Sequence, residues 1–203
     1  MRLKRRASII EAAKSVFAHK GFDQATMQQI GHEASLGVAT IFRYFPKKEQ
    51  LIVAVASDIV QDEIKAFEDI IRGDGTCYDK LGRIFDALIF FQQAEHQRSS
   101  KLIEAFECYV ALSKEPLEDI ELYQAQYDRL INLFTELAEL GQKDGSVRTE
   151  GHTVNILITM MNVFGNFSKK MAMLHGISAF QTRVDEYEQF QILKKLFLEP
   201  LKV

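Results

Sequence analysis

The chain is short of the residues that punctuate or staple a fold: 3 Pro, 2 Cys and no Trp among 203 residues. Two cysteines, Cys77 and Cys108, are too few for a disulfide framework and fit a reducing compartment. No apolar run reaches the roughly 18 residues that a membrane-spanning helix requires. The richest stretches, Ala87–Phe91 and Ile156–Met161, are both short. The opening MRLKRR carries the charge of a secretory leader, but Glu11 and Lys14 interrupt what would be its apolar segment. These absences predict a cytoplasmic protein with no membrane partner. Catalytic signatures are missing too: no Gly-rich phosphate loop, H-E-x-x-H, G-x-S-x-G or C-x-x-C occurs. His32-Glu33 lacks a second histidine at ligand spacing, and His96, His152 and His175 are far apart in sequence. We therefore expect no enzyme, no metal and no cofactor.

What is present is an ordinary globular composition, 47% apolar and 26% charged, which excludes disorder and collagen-like repeats. The formal charge of −3 hides a division. Residues 1–50 hold nine basic and four acidic groups, a net +5, so the rest of the chain carries −8. A basic end on an acidic body points towards a polyanion such as nucleic acid.

Helical periodicity dominates, which predicts an all-α fold of about nine helices. Ile9, Ile10, Ala13, Val16 and Phe17 follow the spacing of an amphipathic helix over Lys4–Lys20, with Gly21 as its stop. Thr26-Met-Gln-Gln29 is a capping box, in which the Thr26 hydroxyl and the Gln29 side chain satisfy free backbone N–H groups. It opens a brief helix ending near Ala34–Ser35, and Gly37 precedes a second, Val38–Tyr44. Pro46 then marks a new start, and a long periodic stretch runs from Lys48 to Gly73. Further helices are expected at Tyr78–Gln97, Ser99–Ser113, Pro116–Gln142, Thr149–Leu174 and Val184–Leu198. The reading is two domains, 1–47 and 48–203, joined by a helix rather than a flexible linker.

Two short helices across a tight turn, after a supporting helix, form a helix-turn-helix. Ile30 and Leu36 are spaced to lie between them, with Ile41 opposite and Phe17, Phe22 and Phe45 completing a core. The stretch Gly21–Leu51, GFDQATMQQIGHEASLGVATIFRYFPKKEQL, resembles the amino-terminal domain of the TetR family of bacterial transcriptional regulators. The likeness rests on Gly21-Phe22, Thr26, Ile30-Gly31, Thr40-Ile41-Phe42, Tyr44-Phe45 and Lys48-Glu49-x-Leu51. Three departures stand out. Ser35 replaces the usual turn glycine, Gly37-Val38 replaces a polar pair, and Phe42 replaces a tyrosine whose hydroxyl commonly meets a phosphate.

The resemblance implies a sequence-specific DNA-binding regulator, a repressor released from a pseudo-palindromic operator by a small apolar or amphipathic effector. Its DNA-binding residues would be Thr26, Gln28, Gly37, Val38, Ala39, Thr40, Phe42, Arg43, Tyr44, Lys47 and Lys48. Arg2, Lys4, Arg5 and Arg6 form a basic arm suited to a DNA backbone or minor groove. The resemblance also implies a homodimer held by the last two helices, through Val154, Leu157, Ile158, Met161, Phe190, Leu193 and Phe197. An effector pocket would draw on Phe85, Phe90, Phe91, Phe106, Tyr109, Tyr123, Tyr127, Met160, Met161 and Phe164. Its polar handles would be Gln92, His96, Cys108 and Asn162. The competing reading is a helical small-molecule carrier or scaffold without DNA, which accounts for the aromatic body but not for the basic, capped helix-turn-helix.

Overall fold

The computed structural model describes residues 2–91, 97–148, 153–175 and 185–203, and every long element among them is an α-helix. In chain order these are α1 (Arg2–Gln24), α2 (Met27–Glu33), α3 (Val38–Tyr44), α4 (Lys48–Arg72), α5 (Cys77–Phe91), α6 (Gln97–Leu112), α7 (Glu121–Asp144), α8 (Thr153–His175) and α9 (Glu186–Leu198). A 3-10 turn at Glu199–Leu201 ends the chain. The described residues contain no strand beyond an isolated antiparallel bridge between Val147 and Lys202.

The first four helices match the periodicity closely. Helical hydrogen bonding extends past Gly21, but this residue has φ 72 and ψ 170, so the helix is kinked there. α3 occupies the expected residues. α7 starts later than Pro116 because Asp119 sits at φ 63, a left-handed conformation that a helix cannot contain. The segment before it closes as single turns instead, with the Ile120 N–H donating to the Leu117 carbonyl at 3.2 Å. α9 begins at Glu186 because the Asp185 carboxylate accepts from the Glu188 N–H at 2.7 Å. The expected break at 176–178 lies outside the described residues.

Two compact units emerge, and their division differs from a cut at 47/48. One comprises Met1–Asp62 with Arg98–Gln126, the other Glu63–Gln97 with Tyr127–Val203. Helices α4 and α7 therefore supply residues to both.

The first unit has one continuous core. Ile9, Ala13 and Phe17 of α1, Ile30 of α2, Ile41 of α3 and Leu51 and Ile52 of α4 are completely or almost completely buried in it. Leu102, Ile103 and Phe106 of α6 and Leu117 join the same cluster. Phe22 meets Phe17 edge-on at 5.1 Å and Tyr109 at 5.9 Å, and Phe106 packs on Tyr123 at 4.7 Å. Lys14 of α1 is clamped to α4 by Asp58 at 2.7 Å and to its own helix by Glu11 at 2.8 Å. Burial alone would lower the pKa of the Lys14 ammonium. The two carboxylates outweigh it and hold the value above that of a free lysine.

The second unit is organised by aromatic rings. Phe85 of α5 packs against Phe164 of α8 at 5.2 Å and Phe197 of α9 at 5.8 Å. Phe190 of α9 closes the cluster against Phe164 at 5.6 Å and Phe167 at 5.2 Å. Polar ties complete the unit. Arg129 grips Glu68 in a bidentate pair, at 2.7 and 2.5 Å, while Lys194 meets Asp86 at 2.5 Å. Cys77 is structural: its thiol donates to the Leu137 carbonyl at 3.2 Å, and burial together with the nearby Asp144 charge pushes its pKa up to about 12.

Candidate nucleic-acid interface

The turn between α2 and α3 is built from backbone constraints that the sequence partly displays. Thr26 accepts from the Gln29 N–H at 3.3 Å, and Gln29 Oε1 accepts from the Thr26 N–H at 3.1 Å, so the expected capping box is present. At the other end, the Leu36 N–H donates to the Gly31 carbonyl at 2.8 Å. A Cβ on Gly31 would stand 2.9 Å from the Leu36 carbonyl oxygen, so only glycine lets the turn fold this tightly onto α2. Ser35 carries the left-handed residue of the turn at φ 54. For a residue with a Cβ, this conformation costs about 1 kcal/mol.

With Ile41 buried beneath it, α3 turns a defined face outward. Gly37, Ala39, Phe42 and Arg43 are exposed, and Val38, Thr40 and Tyr44 are half-buried. Ala39, Phe42 and Arg43 stand at i, i+3 and i+4, which places them side by side on one helical surface. The Arg43 guanidinium lies 5.8 Å from the Tyr44 ring centre, a cation–π contact that limits where the charge can go. Thr26 and Gln28, at the start of α2, are also exposed. From the basic arm, Arg6 lies over the Phe45 ring at 5.0 Å, tying that part of the arm to the domain.

The two lysines after Pro46 have partners that sequence inspection missed. The Lys47 ammonium is paired with Glu118, and that carboxylate raises its pKa above the free value. Lys48 donates to the carbonyls of Phe22, Asp23 and Ala25 at 2.7, 3.2 and 3.2 Å. In this arrangement its ammonium fastens the α1–α2 connection to the start of α4. Nothing in the local sequence signals either contact, because the partners lie 71 and 23–26 residues away.

The residues expected to form an effector pocket are divided between the two units. Phe106 and Tyr123 belong to the core of the first unit, where Tyr109 also packs. Phe85 and Phe164 are spent in the aromatic cluster of the second. Cys108 and Asn162 are exposed, as are Phe90 and Tyr127; Phe91, Met160 and Met161 are half-buried. The Tyr127 hydroxyl reaches Asn162 Oδ1 only at 3.5 Å. Gln92 and His96 lie outside the described residues. A cleft of about 240 Å³ in the second unit is lined by other residues, among them Thr135, Glu139, Gln142 and Asn155.

The dimer expectation also changes in detail. Leu157 and Phe190 are buried within the chain, and Phe197 packs on Phe85, so these three are occupied internally. Val154, Ile158, Met161 and Leu193 are half-buried. Among the described residues, exposed large apolar positions of α8 and α9 include Ile156, Val163, Tyr187, Ile192 and Leu196. Periodicity identifies both helices as apolar, and the residues it selects are partly buried within the chain and partly at its surface. An all-round apolar helix offers no contrast from which to tell the two faces apart.

Comparison with known proteins supports the reading of this region. A family model described as bacterial regulatory proteins, tetR family, matches residues 9–55, which cover most of α1, all of α2 and α3 and the start of α4. The chain is 32% identical over 87 residues to the HTH-type transcriptional regulator LuxR of Vibrio harveyi, covering 43% of this chain and 42% of that protein. It is 26% identical over 88 residues to a fatty acid metabolism regulator protein of Bacillus subtilis, covering 43% and 45%. These matches thus span less than half of either relative's length. Among solved structures, the transcriptional regulator FadR from Bacillus subtilis, in complex with stearoyl-CoA, aligns over 96% of this chain and 98% of its own. The TM-score is 0.74 at 16% identity, a likeness of fold.

Proposed function

The chain belongs to the TetR family of bacterial regulatory proteins, and from that premise we propose that it is a sequence-specific DNA-binding transcriptional regulator, a repressor acting as a homodimer on a pseudo-palindromic operator. The observation that carries the reading is the outward face of α3. A seven-residue helix, anchored through Ile41, presents small residues and one guanidinium at the tip of the basic segment. A helix of this kind fits the major groove, with small side chains allowing close approach and Arg43 able to reach guanine O6 and N7 or a phosphate. Gln28, Thr26 and the Arg2–Arg6 arm would position it on the backbone.

The second copy is supported by the exposed apolar positions of α8 and α9, which another molecule of this chain would cover around a two-fold axis. Two copies would set the recognition helices one DNA turn apart, about 34 Å. The repressor and effector parts of the reading follow the family. An apolar or amphipathic effector, with long-chain acyl thioesters as the first candidates, is supported by the fold shared with the stearoyl-CoA complex and by the fatty acid metabolism regulator among the relatives. Release requires only that the effector bind better to a state whose recognition helices miss successive grooves.

The test is a mobility-shift titration at two salt concentrations with DNA from upstream of the protein's own gene. A specific complex with steep salt dependence is expected. Arg43→Ala should weaken specific binding by about 1–3 kcal/mol while scrambled DNA is bound nearly as before. Equal losses on both DNAs would remove Arg43 from base reading, and no complex on any DNA would overturn the regulator reading itself.

A further inference from the structure

The exposed face of α3 is unusual for a base-reading surface in how little it can do by hydrogen bonding. Its seven residues include no Asn, Gln, Lys, Asp, Glu or Ser. Of its polar side chains, Thr40 is half-buried and Tyr44 packs against the core, which leaves Arg43 as the one exposed polar side chain of α3. Beside it stand the Ala39 methyl and the Phe42 ring, with Phe42 43% exposed. A single exposed apolar side chain is ordinary on a folded surface; what sets Phe42 apart is its place beside Arg43 on the outward face of the helix proposed to enter the groove. In the major groove of unmodified DNA, only one base edge carries an apolar group, the C5-methyl of thymine.

We propose that this protein reads its half-site chiefly through thymine methyl groups, met by Ala39 and Phe42 side by side on the outward face of α3, with Arg43 as the one hydrogen-bonding reader. The inference rests on the DNA-binding reading above and adds the base class that the helix selects. Phe42 is a specificity-determining residue in this account. Its ring lacks the hydroxyl that would make it a sequence-blind phosphate contact, so whatever it contributes depends on which base edge it meets. The positive charge of the amino-terminal segment supplies the attraction to the duplex that an apolar helix face lacks.

The experiment uses the full chain and a duplex library with a randomised core. Bound sequences are selected at fixed salt, and the enriched site is then synthesised with thymine or with uracil, which differs only in lacking the methyl. The expected result is a site with thymine at two or more adjacent positions of each half. Replacing one such thymine by uracil should weaken binding about fourfold, the effect of losing one buried methyl-sized group. Phe42→Ala should bring the thymine-to-uracil ratio at its position close to one. The side chain lies on the surface, so the variant should fold, and its thermal unfolding provides the check. A site that is enriched but bound equally with uracil throughout would overturn the methyl reading and leave the DNA-binding reading standing. If no sequence is enriched, both fail.

Discussion

In the unit that carries the helix-turn-helix, the apolar stripes of α1, α2, α3 and α4 close on one core. Its exposed large apolar residues, Leu3, Phe42, Leu112 and Leu122, stand on four different helices. In the other unit, the rings of Phe85, Phe164 and Phe190 are taken inside, yet Ile156 and Val163 of α8 and Ile192 and Leu196 of α9 remain open to water. These pairs are spaced by seven and four residues, so each lies along a single helix face. Both units draw on the same apolar residue types. The difference is that the first leaves its exposed apolar side chains scattered singly, while the second leaves them in rows along α8 and α9 that another molecule can cover. On the proposed reading, the first unit would carry the DNA contact and the second would carry the contact between copies.

The contrast can be tested most severely from inside the second unit. Phe164→Ala removes the ring on which both Phe85 and Phe190 pack and should cost about 3–5 kcal/mol in urea unfolding. A loss below 1 kcal/mol would show that the aromatic cluster is not what holds α5, α8 and α9 together. Leu196→Glu addresses the surplus surface. The side chain is 60% exposed in a single copy, so a charge there should leave the unfolding of one chain nearly unchanged. It should weaken self-association at least tenfold in sedimentation experiments. An unaltered dimer, or a wild-type chain that is monomeric at high concentration, would erase the distinction drawn between the two units.

In the first unit, Lys48→Met keeps the aliphatic stem but removes the ammonium from three carbonyls. About 1–2 kcal/mol of stability should be lost, with faster amide exchange in the α1–α2 connection. Unchanged stability with uniformly weaker binding to every DNA would return Lys48 to the phosphate-contact role expected from the motif. The smallest effect concerns Glu68, whose hydrogen bonds to Arg129 hold its carboxyl below the usual range. A depressed folded-state pKa adds stability above the unfolded value of about 4.3 that is lost as pH falls through the folded value. The stability gap between wild type and Glu68→Gln should therefore narrow on acidification. Parallel pH profiles would show that the pair contributes nothing through ionisation.

Much of the first unit was legible from local patterns. The capping box, the exact span of α3, and the burial of Ile30, Ile41 and Phe45 all depend on residues within one or two helical turns. Ser35 was visible as a residue in an awkward place and proved to hold a positive φ. The Asp58 partner of Lys14 and the partners of Lys47 and Lys48 were not visible, because each of these contacts depends on how α4 or the segment before α7 is carried back to the amino-terminal helices. The aromatic residues show the same limit more strongly. Aromatic composition announces a ring-rich body, but not that Phe85, Phe164, Phe190 and Phe197, from three helices, share one cluster.

By itself, the sequence determined an all-helical chain, a basic helix-turn-helix at its amino-terminal end, and the span of α3. These follow from spacing and capping, which act over a few residues. Only the tertiary structure decided which side of α8 and α9 is left uncovered, which cations are already engaged, and that residues 98–126 share a compact unit with the helix-turn-helix. Such outcomes depend on competition among distant segments for the same buried volume, and short-range periodicity does not record who wins it.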